Sequence, residues 1–92
     1  MALDREDLVK RARRDLAKRL GVSEGEISEE SVEQADFPDM ALGAAGRGEM
    51  SGQMITPGLR IRLGAKGHGS HEYRANEHQL RLYNFKGKNY KI

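Results

Sequence analysis

Residues 54–63 read Met54-Ile55-Thr56-Pro57-Gly58-Leu59-Arg60-Ile61-Arg62-Leu63, and from Leu59 onward apolar and basic side chains alternate. Successive side chains of an extended chain point to opposite faces, so Leu59, Ile61 and Leu63 share one side and Arg60 and Arg62 the other. That is the pattern of an antiparallel strand with one dry face. At its start, Thr56-Pro57-Gly58 fixes φ at Pro57, removes an amide and frees Gly58, which predicts a bulge or bend. The same period recurs downstream. Ser70–Ala75 returns with His71, Tyr73 and Ala75 on one side, and Leu80–Phe85 is the last strand, with turns at Ala65–Gly69 and Asn76–Gln79. Upstream, Ser31–Phe37 alternates imperfectly, which predicts a bulged first strand that Pro38 ends or confines to an edge.

One helix precedes the sheet. Asp4 is its N-cap, Glu6 and Asp7 sit in the first turn where the helix dipole favours negative charge, and Leu3 and Leu8 are spaced for a hydrophobic staple. Leu8, Val9, Ala12, Leu16 and Leu20 project along one stripe, while Gly21 suits a left-handed cap and Val22 folds back on the last turn. Ser23-Glu24-Gly25-Glu26 has capping-box spacing and predicts one short turn. The expected fold is α+β, one N-terminal helix packed on a meandering antiparallel sheet of about four strands. A single domain spans residues 3–85, and residues 86–92 form a flexible basic tail. Residues 39–53, holding Gly43, Gly46, Gly48 and Gly52 among small side chains, are expected to begin in order and continue as a flexible loop.

Ninety-two residues suffice for one domain, and a hydrophobic share of 37%, much of it Ala, means one core must use nearly every large side chain. Charge is segregated. Residues 1–23 carry seven basic and four acidic side chains, whereas Glu24, Glu26, Glu29, Glu30, Glu33, Asp36 and Asp39 form a block with no base inside it. Such a belt argues against a dedicated polyanion binder despite the net charge of +2. The absence of Cys removes disulfides and thiolate metal sites, and fits a reducing compartment. No apolar run approaches a membrane span, and the charged start lacks the apolar core of a signal peptide. The expected location is cytoplasmic for the chain as written, or extracytoplasmic if a leader was omitted.

At Phe37-Pro38-Asp39, Leu42-Gly43, Thr56-Pro57-Gly58-Leu59-Arg60-Ile61 and Glu72-Tyr73 the chain resembles a family of small, largely uncharacterised bacterial domains. The pattern of that family is aromatic-Pro-Asp, Leu-Gly-Cys-Pro, Thr-Pro-Gly-Tyr-Arg-Ile and Tyr-Glu-Tyr-His. Here Ala44-Ala45 replaces Cys-Pro, Phe37 stands for Trp, Leu59 for Tyr, and His71 for the first aromatic of the last element. The resemblance implies a fold and no reaction. The order of helix, Gly-Val exit, acidic turn and meander is also similar to PepSY domains, a likeness that implies a cystatin-like arrangement and an association with peptidase propeptides and inhibition.

Catalytic chemistry finds little support in the residue pattern. Gly43-Ala44-Ala45-Gly46-Arg47-Gly48 lacks the preceding strand and following helix of a phosphate loop. His68, His71 and His78 lack the spacing of a ligand set, and neither Ser51 nor Ser70 is paired with a base. No catalytic residue, metal ligand or cofactor is therefore assigned. The expected function is non-enzymatic binding of a protein or peptide, conceivably inhibitory, by a monomer, through Phe37, Pro38, Asp39, Leu42, Thr56, Pro57, Gly58, Arg60 and Arg62. The alternative is weak nucleic-acid or anion binding by the helix face of Lys10, Arg11, Arg14 and Lys18 together with the basic tail.

Overall fold

A computed structural model describes residues 4–92. The chain runs α1 (Arg5–Leu20), a single 3-10 turn (Glu24–Glu26), β1 (Ile27–Phe37), β2 (Thr56–Ala65), β3 (Gly69–Ala75), β4 (Leu80–Phe85) and β5 (Lys88–Lys91). The strands form one antiparallel meander in the order β1-β2-β3-β4-β5. The fold is α+β as the pattern indicates, with five strands in place of about four. No helix among the described residues is long and apolar enough to cross a membrane.

The helix begins and ends for local reasons. The Asp7 amide donates to Asp4 Oδ1 at 2.9 Å, Gly21 takes the left-handed C′ position at φ 70°, and the Val22 amide reaches the Ala17 carbonyl at 3.0 Å. The expected staple between Leu3 and Leu8 lies outside the described residues. Ser23 makes no side-chain cap, so the capping box does not form, and the turn closes instead from the Glu26 amide to the Ser23 carbonyl. Leu8, Ala12, Leu16 and Ala17 of α1 pack on Ile27, Ile61, Leu63, Tyr73, Ala75, Leu80 and Leu82. One polar group enters this core: the Tyr73 hydroxyl, on a side chain with 0% exposure, donates to Asp15 Oδ2 at 2.7 Å. Burial, reinforced by that carboxylate, holds the phenol protonated far above its ordinary range. Arg19 bonds the same Asp15 oxygen at 2.7 Å, and its guanidinium lies 4.3 Å from the centre of the Tyr90 ring.

Tyr90 belongs to a strand where a flexible tail was expected. Lys86 and Gly87, at φ 53° and 83°, form the two-residue turn that brings β5 against β4, both central residues left-handed as a type I′ hairpin requires. Lysine is an unusual first residue for that turn, which is why the hairpin is hard to see in the sequence.

The expected irregularity at Thr56-Pro57-Gly58 does not form: Phe37↔Thr56, Asp36↔Pro57 and Ala35↔Gly58 pair in unbroken register. The first strand is bulged as expected, between Glu29 and Ser31. Pro57 is tolerated because β3 starts its pairing with β2 only at Leu59, so no strand flanks Pro57 on that side. Gly58 answers a packing constraint: a side chain there would collide with the Ala75 carbonyl and press on the Phe37 ring. Gly58→Ala should therefore lower stability by about 1–3 kcal/mol. Gly25→Ala, at an open site, should stay within about 0.5 kcal/mol of the parent. Denaturant midpoints of the two variants measure the difference, and equal midpoints would refute this reading of Gly58.

Candidate functional site

The register that pairs Phe37 with Thr56 brings the two proline motifs together as cross-strand neighbours. Beyond Phe37 the chain leaves the sheet. Asp39 Oδ1 accepts from the amides of Ala41 (2.9 Å) and Gly43 (3.0 Å), and the Met40 amide donates to the Gly52 carbonyl at 2.9 Å. Residues 38–55 thereby form a closed strap lying on the sheet face opposite α1. Its inner side chains, Ala41, Leu42 and Ala44, are buried. Of the residues expected to form a contact surface, Phe37 and Leu42 are 2% and 0% exposed. These two correct that expectation: they are packing residues beneath the strap, covered because this face of the sheet is not open. Pro38, Pro57 and Arg62 are exposed, and Asp39, Thr56, Gly58 and Arg60 are half-buried.

The strap is held by cations. Cross-strand pairing sets Glu33, Arg60, Arg74 and Arg81 in one row across β1 to β4, with Arg62, Glu72 and Tyr83 in the row beside it. Adjacent like charges repel, so each guanidinium needs an acceptor. Glu72 serves three of them, with Arg74 Nε at 2.8 Å and Arg60 and Arg62 nitrogens at 3.4 Å. Arg74 stacks 3.6 Å from the Tyr83 ring centre and 5.1 Å from that of Phe37, and its Nη1 donates to the carbonyls of Leu42 (3.0 Å) and Gly43 (3.3 Å). Leu42 and Gly43 both take positive φ, at 58° and 66°, which turns these successive carbonyls onto the guanidinium. Left-handed backbone costs a leucine about 1–2 kcal/mol. Full burial of its side chain returns about 1.5–3 kcal/mol, so the conformation is sustained.

Arg81 is the deepest cation, 4% exposed. Its Nη1 and Nη2 grip Glu49 Oε1 and Oε2 at 2.6 and 2.7 Å, Nε donates to Gln79 Oε1 at 2.6 Å, and Nη1 also reaches the Ala44 carbonyl at 3.4 Å. Gln79 Nε2 donates to the Met40 carbonyl at 2.7 Å, and Asn89 Nδ2 of β5 donates to the Ala45 carbonyl at 3.0 Å. Arg81 thus pins the stretch expected to be a flexible loop, and the expectation fails because it treated the second sheet face as solvated. The amides do not cradle an anion: those of Gly43 and Gly46 are taken by Asp39 and Glu49. Arg74, Arg81, Glu49 and Glu72 escaped the sequence reading. Their signal was present as arginines recurring at outward positions of three strands and a lone acid inside the glycine-rich stretch.

The strap's outer side is apolar. Met40, Met50, Met54 and Ile55 are 50%, 94%, 63% and 71% exposed, and they are the large exposed hydrophobic side chains of the described residues. The histidines do not converge. His68 and His78 are exposed in separate turns, while His71 packs 5.4 Å from the Phe85 ring.

The Arg81 hydrogen bond, followed by the Gly46 amide, holds the Glu49 carboxyl down at about 2 from an ordinary 4.5. A depressed acid stabilises the folded state above its unfolded value and loses that contribution as pH falls through the folded one, here between 4.5 and about 2. The carbon resonance of this carboxyl should titrate with a midpoint of about 2, and Arg81→Met should return it toward 4.5. A midpoint near 4.5 in the parent would show that the clasp does not form.

Neither a curated protein nor a solved structure matches the chain. A family model does, over residues 9–83, from the first turns of α1 to Tyr83 of β4, and takes in the strap together with the cations that hold it. The chain belongs to DUF8738, a domain family of unknown function.

Proposed function

We propose that this domain is a non-enzymatic module that binds another protein or peptide on the outer rim of the strap. One observation carries the reading: the exposed large hydrophobic side chains all lie on residues 40–55, a segment held to the sheet by Arg74 and Arg81. A segment that only linked β1 to β2 would gain nothing from displaying Met50 and Ile55 to water. Methionine side chains are flexible and polarisable, and they suit apolar recognition surfaces. The underlying clasp lowers the ordering cost of association, because it holds residues 40–49 and so fixes one end of the segment that bears them. Pro38, Thr56 and Pro57 adjoin this segment in the chain, and both prolines are exposed. The helix-then-meander order is similar to PepSY domains, and inhibition of a peptidase is the narrower form of the same proposal.

Weak anion or nucleic-acid binding is the second reading. Among the described residues of α1 only Asp15 and Arg19 form an i,i+4 ion pair, and Lys10, Arg14 and Lys18 are exposed.

A photo-crosslinking residue at Ile55 should capture a polypeptide in cells that one at Lys10 does not. With that polypeptide purified, Ile55→Asp should weaken its binding at least tenfold, about 1.4 kcal/mol, without lowering the thermal midpoint. Equal capture at both positions would refute the proposal, and capture of nucleic acid at Lys10 alone would favour the second reading.

A further inference from the structure

We infer that the free edge of β1 accepts a foreign extended segment carrying two basic side chains three residues apart, adding a sixth strand to the sheet. The inference rests on the protein-binding reading but uses a different surface. β1 is an edge strand of eleven residues, and apart from the Ile27 amide, which donates to the Glu24 carbonyl at the end of the 3-10 turn, its backbone takes no part in the turn and loop hydrogen bonds. Such an edge presents a row of free amides and carbonyls to any extended chain. The bulge between Glu29 and Ser31 leaves Ser31–Phe37 as its regular run.

The chemistry of the added strand follows from the carboxylates of that run. Glu33 projects on the strap face, as Arg60 opposite it does, and Asp36 projects on the helix face. Both are exposed, and among the described residues Asp36 makes no ion pair and Glu33 has only a 3.5 Å contact with Arg60. Glu30 lies in the bulge, outside the regular run, and its carboxylate accepts from the Ser70 hydroxyl at 2.7 and 3.0 Å. In an added strand of either direction, residues opposite Glu33 and Asp36 are three apart and point to opposite faces. A groove of roughly 630 Å³, lined among others by Arg5, Leu8, Asp36, Leu59 and Glu77, adjoins this edge and has room for the side chain opposite Asp36.

A second copy does not supply this strand. The other edge, β5, carries Lys88 and Lys91 three apart, Lys91 on the face of Arg81 and Lys88 on that of Phe85. Joining β5 to β1 with the helices on one side makes the strands parallel, and with the helices on opposite sides makes them antiparallel. In either case, setting one lysine beside Glu33 puts the other at Glu30, in the bulge where the regular ladder is broken, and setting one beside Asp36 puts the other past Pro38. Pairing β1 with β1 brings acidic edges together.

The probe is a blocked peptide, TVKTVKT, titrated into the whole protein and followed by amide resonances, beside TKVKTVT, which has the same composition and lysines two apart. The first should shift Ser31–Phe37 and bind at least tenfold more tightly than the second, and Glu33→Gln with Asp36→Asn should remove that preference. These two substitutions are at exposed positions, and an unchanged thermal midpoint confirms the fold. Equal affinity for both peptides, shifts confined to other strands, or concentration-dependent assembly without peptide would each overturn the inference. If the edge binds no peptide while Ile55 still captures a protein, the inference fails and the strap reading stands.

Discussion

Arg81 is a cation placed where water barely reaches it, and much of the second face of the sheet is arranged to make that tolerable. An unpaired guanidinium there would be prohibitively unstable, so its forked donors must meet acceptors of matching geometry. Within the sheet, Gln79 takes one donor, and the neighbours across the strands are Arg74 and Lys91. The remaining acceptors come from residues 38–55: the Glu49 carboxylate and the Ala44 carbonyl. Removal of one partner from a buried ion pair costs about 3–5 kcal/mol, and less where, as for Glu49, one partner keeps part of its solvent. The strap is therefore the counter-charge that makes the arginine row possible, and the row keeps the strap in place.

This mutual dependence gives the sheet two different faces. The helix face is closed by hydrophobic burial, with Tyr73 and Asp15 as a satisfied polar pair inside it. The other face is closed by cations meeting carbonyls, carboxylates and rings, and its apolar content is limited to Phe37, Ala41, Leu42 and Ala44. A chain of this size with few large apolar side chains gains by building its second layer this way, because charge-assisted hydrogen bonds to backbone carbonyls order a segment that hydrophobic burial alone would not. The proposed binding rests on Met40, Met50, Met54 and Ile55, which this segment leaves exposed.

How much of this was legible depended on the range of the interaction. The helix with its two caps, β2 with its alternating faces, and the return strands β3 and β4 are dictated by neighbours within a few residues, and the sequence alone settles them. The strand through Thr56-Pro57-Gly58 was likewise legible, although no bulge forms there and Gly58 serves close packing. The hairpin to β5 turns on Lys86 in a left-handed conformation, for which lysine gives no local signal.

What only the tertiary structure decided is everything on the second face. The arginines at positions 60, 62, 74 and 81 read as a solvated surface until the register places three of them side by side, where their repulsion has to be relieved. Glycines between residues 43 and 52 read as slack until Arg74 and Arg81 claim the carbonyls among them. Local sequence determined the elements, since capping and side-chain alternation act over single turns and single strands. The acceptors that residues 38–55 offer to Arg74 and Arg81 lie 31 to 37 residues away in the chain, and these contacts exist only once the sheet has formed.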